Sequence, residues 1–180
     1  MKRELRRWEA AGFLFTGALG TLLHFVYDWS GRSRVAAAFS AVNESTWEHM
    51  KLLLFIPFLL FAAAEFIVFS EPLRNFFAVK AAAILLGLAA IPALFYTLTG
   101  MFGRLPDWMN IAIFFLADAL AYFAGCRMLM AGRLRGGAAQ LLGFVLLWLL
   151  LFVFVWFTYR TPRLPLFLDP VNGCYGLAVP

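Results

Sequence analysis

Five ionisable side chains stand at the edges of two apolar runs: His24 and Asp28 at the end of the first, and Glu44, Glu48 and His49 in the word VNESTWEHMK at the start of the second. Imidazole and carboxylate are the donors that hold zinc and other borderline divalent ions, and the same groups serve as general acids and bases. His24 and Asp28 are four apart, so on a helix they project from one face and can share an ion or a proton. Arg32, four residues further on, offers Asp28 a plain ion pair instead. Glu48 also has a structural alternative, because Ser45-Thr46-Trp47-Glu48 fits a capping box in which serine and glutamate satisfy each other's amides. Glu44 suits the positive end of a helix dipole. His49 has no such role, and beside Glu48 on a helix it points about 100° away from it. His24, Asp28, Glu44 and His49 together have the donor types of a divalent metal site such as zinc, without an HExxH or comparable signature.

Two further groups invite chemistry. Asp118 lies in the middle of a fourth apolar run, with Tyr122 one turn along on the same face. An ionised carboxylate facing lipid costs about 2.5–3.5 kcal/mol at mid-membrane. Asp118 must therefore face inward, be protonated or meet a partner, and an intramembrane proton or cation relay competes with a simple interhelical hydrogen bond. The C-terminal TPRLPLFLDPVNGCYGLAVP contains the turn dipeptides Asp169-Pro170 and Asn172-Gly173. It is too short and too proline-rich to span a bilayer, so it is expected to fold back as a lid carrying Asp169 and Tyr175, with Asp169 closing an Asx-turn at the least.

What must position these groups is a membrane bundle. Hydrophobic residues make up 63% of the 180-residue chain, charged residues 14%, and the mean hydropathy is +0.83, against roughly 45–50% apolar and 25% charged in soluble domains. The hydrocarbon layer asks for about 20 apolar residues per span. Five spans fit, at about 9–29, 49–69, 73–99, 107–131 and 137–159, followed by the tail 160–180, all in one integral-membrane domain of all-α class. Pro57 and Pro92 are expected to bend the second and third spans without ending them. Glu65 and Lys80, near the cytoplasmic ends of those spans, are expected to pair or snorkel. Gly17, Gly20 and Thr21 make a small-residue face on the first span, a surface for a second copy or another membrane protein.

The basic residues are scattered singly between apolar runs, which speaks against nucleic acid and for topology signals. Lys2, Arg3, Arg6 and Arg7 adjoin the first span, which reads as a retained helix and not a cleaved leader, so the N-terminus is assigned to the cytoplasm and the tail to the outer face. Cys126 and Cys174 make no CxxC or Cys/His pattern. Neither GxSxG nor a P-loop is present.

LLHFVYDWSG, AVNESTWEHMKLLLF, FYTLTG and PLFLDPVNGCYG together resemble an uncharacterised family of small bacterial integral-membrane proteins, a domain of unknown function. The resemblance extends over nearly the whole chain and implies a five-helix protein of the bacterial inner membrane. It implies no activity, substrate or catalytic residue.

The leading expectation is a polar pocket at the outer leaflet, lined by His24, Asp28, Glu44, Glu48 and His49, covered by the tail, and acting through a divalent ion or as acid and base on a lipid or lipid-linked substrate. Its rivals are a small carrier or channel working through Asp118, and a structural or regulatory subunit docking through Gly17 and Gly20.

Overall fold

The computed structural model describes residues 1–69 and 73–177, with the side chains of all of these except residues 53 and 54. The last three residues of the expected tail lie outside that range. Helix α1 (Lys2–Trp29) leads through a short α2 (Arg34–Ala37) to a composite span made of α3 (Thr46–His49), a π-helical stretch (Met50–Phe55) and α4 (Ile56–Phe69). Helices α5 (Phe76–Phe102), α6 (Asp107–Ala131) and α7 (Gly137–Tyr159) follow, then a 3₁₀ turn at Pro165–Phe167. The described residues contain no strand, and five helices are long and apolar enough to cross a membrane. Large apolar side chains such as Leu14, Leu22, Ile67, Leu116, Phe123, Leu141 and Trp148 cover the outside of the bundle, a surface suited to lipid.

Pro92 sits inside α5 without ending it. Pro57 has a larger effect. Its ring and missing N–H displace the ordinary i−4 bond, and the wide π-helical turns lie directly ahead of it.

Helix α5 packs on both α6 and α7, while α1 packs on α6 and on the composite span. The small-residue face of α1 is what lets α6 approach. A Cβ on Gly12 would collide with the Tyr122 and Phe61 rings, and one on Gly17 would stand 2.8 Å from Phe115. Gly20 is buried on the same helix. This corrects the expected docking face: Gly17 and Gly20 are covered within the chain.

Two buried polar knots fasten the bundle. At the N-terminal end, Lys80 Nζ pairs with Glu9 Oε1 at 2.9 Å and Glu65 Oε2 at 2.5 Å, beneath the rings of Phe58, Phe76 and Tyr122. At the opposite, histidine end, Lys51 Nζ reaches Glu48 Oε2 at 2.7 Å and donates to the Ala37 carbonyl at 2.9 Å and the Thr158 hydroxyl at 2.8 Å. Each knot ties three or more segments together, because a buried lysine must find acceptors wherever they are.

The tail crosses the histidine end. Phe167 packs at a tilt against Trp47 at 4.7 Å between centroids, Leu168 bridges to Tyr175, and the Asn43 amide donates to the Gly176 carbonyl at 2.9 Å. Gly176 has φ +61° and presses on the Thr161 side chain, so neither its backbone nor its surroundings admit a larger residue.

Candidate functional site

The site forms where α1 ends and the composite span begins. Its organiser is the loop before α3. Asn43 Oδ1 accepts from the Ser45 amide at 2.9 Å, and Ser45 Oγ accepts from the Glu48 amide at 3.3 Å, capping the helix. The capping box closes only halfway. The Glu48 carboxylate turns away from Ser45 to Lys51, the Val42 amide at 3.2 Å and the Thr158 hydroxyl at 3.2 Å. That arrangement corrects the inclusion of Glu48 in the pocket: it is 2% exposed and its oxygens are engaged in the knot.

Glu44, which precedes the cap, lies between two imidazoles. Its Oε1 is 3.5 Å from His24 Nε2 and its Oε2 is 3.4 Å from His49 Nε2. The imidazole rings are 5.5 Å apart, and one donor atom from each of the three residues lies within 4.8 Å of the others. His49 Nδ1 stands 2.9 Å from the Ser45 carbonyl. A carbonyl can only accept, so Nδ1 carries a proton and Nε2 is left facing Glu44, as a donor when the ring is protonated and as a ligand atom when it is neutral. The hydrogen bond from His49 holds the Glu44 carboxyl below its ordinary range, with the charges of His49 and His24 adding to the effect against partial burial.

Asp28 does not join them. It is exposed at the last turn of α1 and pairs with Arg32 at 3.3 Å, four residues on. The i,i+4 spacing with His24 is real, but one further turn carries Asp28 past the cluster.

His24, Glu44 and His49 line one wall of a cavity of about 680 Å³. The other walls come from the C-terminal half of α5 (Ile91, Phe95 and Thr99), the loop with Arg104, the first turns of α6 from Asp107 to Phe114, and Pro170 and Val171 of the tail. Asp169 and Tyr175, the expected lid residues, do not line it. Asp169 is fully buried and anchors the turn behind the lid, accepting from the Val171 amide at 2.8 Å, the Asn172 amide at 3.3 Å and the Asn172 side chain at 3.0 Å. Burial pushes its carboxyl up, but these donors outweigh it and hold it below the ordinary range. Tyr175 is half-buried and borders a separate surface hollow with Tyr159 and Arg163.

Asp118 is completely buried, and neither carboxylate oxygen has a hydrogen-bond partner among the described residues. Tyr122 does not serve it, because its hydroxyl is 2.9 Å from the Thr16 hydroxyl. Asp118 lies one helical turn past Phe114, a cavity-lining residue.

Sequence reasoning gave Glu9 and Thr158 no role and took Lys51 and Arg104, with the other scattered basic residues, only as topology signals. Glu9 was findable: it shares a helical face with Gly12 and Thr16, at spacings of three and seven. Nothing in the spacing of Lys51 or Thr158 shows that they meet.

The profile of a family described as being of unknown function (DUF6512) matches residues 1–177. No curated protein and no solved structure matches the chain.

Proposed function

The chain belongs to this family of unknown function, and from that premise we propose that it is a multi-pass membrane protein in which His24, Glu44 and His49 hold a divalent ion, zinc by donor chemistry, at the wall of a cavity that admits a lipid or lipid-linked substrate. The observation that carries this reading is the orientation of His49. Nδ1 is committed to a backbone carbonyl, which is how the other ring nitrogen of a metal-ligating histidine is usually held, and Nε2 faces the same carboxylate that His24 faces. An ion held by these three residues would supply Lewis acidity and an activated water as nucleophile or general base. With the N-terminus in the cytoplasm, the cluster opens to the outer face of the bacterial inner membrane.

Protein purified in mild detergent should carry stoichiometric divalent metal by elemental analysis, or gain thermal stability on adding zinc after chelation. His24→Ala, Glu44→Ala and His49→Ala should each strip the metal and the stabilisation. The reading fails if the first two variants leave both unchanged.

A second reading, a proton- or cation-coupled carrier, is favoured by one observation, the buried and unpartnered carboxylate of Asp118. It requires Asp118→Asn to abolish ion-dependent uptake in liposomes, whereas a cavity enzyme retains turnover in that variant.

A further inference from the structure

The polar wall of the cavity contains one cation beyond the cluster. Arg104 lines the same space, is exposed, and is in no ion pair among the described residues. Asp107 is the remaining charged group there. With neutral imidazoles, as coordination requires, Glu44 and Asp107 outweigh Arg104 by one charge. A divalent ion on His24, Glu44 and His49 reverses that sign. The far wall differs in kind: Ile91, Phe95 and Phe114 are apolar and lie deeper along α5 and α6 than Arg104 does. Thr99 stands between the two regions, and its buried hydroxyl has no partner among the described residues. The volume suits a drug-sized ligand, for which pockets span roughly 300–1,000 Å³.

We infer that the cavity binds a phosphate headgroup on an apolar chain, with the phosphate between the cluster's metal ion and Arg104 and the chain along Ile91, Phe95 and Phe114. This inference rests on the metal reading above. Phosphate is preferred to carboxylate by its oxygen count. A carboxylate is used up by one bidentate guanidinium or one ion, whereas an alkyl phosphate has three terminal oxygens, two for the guanidinium and one for the ion, with lone pairs to spare for the Thr99 hydroxyl. The cavity's lining runs along α5 from Thr99 to Ile91 and along α6 from Asp107 to Phe114, away from the ends of these helices and toward the apolar middle of the bundle.

The test uses the full chain in maltoside micelles, chelated and then reloaded with zinc, titrated with a long-chain alkyl phosphate, the matched alkanol, the matched fatty acid and inorganic phosphate. Binding is read by calorimetry and by thermal shift. The alkyl phosphate should bind at least about tenfold more tightly than each of the other three, the step that one charged hydrogen-bonded contact supplies, and only when zinc is present. Arg104→Gln, at an exposed position, should keep zinc uptake and lose about tenfold in alkyl phosphate affinity. If zinc binds but alkanol and alkyl phosphate bind alike, or if Arg104→Gln changes nothing, the headgroup assignment is overturned while the metal site stands. Equal affinity for inorganic phosphate overturns the apolar-chain half and makes free phosphate the ligand. Equal affinity for the fatty acid overturns the choice of phosphate. If the wild-type protein takes up no metal, the metal reading itself falls and this inference with it.

Discussion

Lys80 with Glu9 and Glu65, and Glu44 with His24 and His49, are both trios of ionisable groups drawn from separate segments, but they are built for opposite purposes. The lysine trio is sealed: its members are 1%, 3% and 0% exposed, and aromatic rings cover the ammonium. The histidine trio is open: its side chains are 29–44% exposed, contact distances are 3.4 and 3.5 Å, and the donor atoms border a cavity. A closed cluster spends its charge on itself and fixes helices. An open cluster with loose contacts keeps lone pairs for something that is not protein. Burial and contact length, more than residue type, separate a fastening from a site.

The comparison breaks most visibly at the sealed end. Lys80→Met leaves Glu9 and Glu65 facing each other without a cation, and removing one partner of a buried pair costs about 5 kcal/mol at the upper end of the usual range. The variant should express poorly or melt far below the parent. Restoring neutrality in the triple variant Glu9→Gln, Glu65→Gln, Lys80→Met should recover most of the loss, and failure to recover would show that the lysine does more than balance charge. Lys51→Met strands a single carboxylate, Glu48, which keeps the Val42 amide and the Thr158 hydroxyl. Its cost should be smaller, about 3 kcal/mol, read in the same melting experiment.

The tail tests whether the open end is a separate unit. Asp169→Asn replaces an anionic acceptor of three donors, a loss of about 1.5–3 kcal/mol confined to the tail. Proteolysis should then cut within 165–177 faster than in the parent, while the melting of the bundle stays put. The pH dependence has a definite sign. The carboxyls of Asp169 and Glu44 are held below their ordinary values in the folded protein, so their contribution is fully present above the unfolded pKa values, about 3.9 and 4.3. It is lost as pH falls through the lower folded values. Protection of the tail should therefore persist from neutral pH to about 5 and decline below about 4, and Asp169→Asn should flatten that decline. A tail that loosens instead on going from pH 7 to 6 would point to the histidines as its anchor.

The bundle was far more legible than the site. Five apolar runs of membrane length announce five helices, because lipid leaves the backbone no other economical way to satisfy itself. Spacing rules then worked within a helix and failed between segments. The four-residue interval of His24 and Asp28 predicts a shared face correctly, yet the residue that meets His24 is Glu44, in a loop whose path depends on Asn43, Ser45 and the knot at Lys51. Lys51 itself counted as a marker of membrane topology, a reading natural for a lysine at a span's end and one that hides its burial. Gly17 looked like an invitation to another protein, but a small-residue face says only that some helix comes close, and here it is α6 of the same chain.

The smallest effect on stability should be the most informative. Glu44→Gln keeps the shape of the side chain, removes its charge and acts on a group that is 44% exposed, so the change in melting should stay within about 0.5 kcal/mol without metal. The amide retains a carbonyl for one histidine and turns a donor toward the other, which weakens the cluster as a metal site by removing its only anionic ligand. Apo stability near that of the parent, together with loss of zinc-induced stabilisation, would place Glu44 among groups held for a ligand. A large loss of apo stability with zinc uptake intact would place it with Glu9 and Glu65 as a fastening, and the distinction between the two ends of the bundle would dissolve.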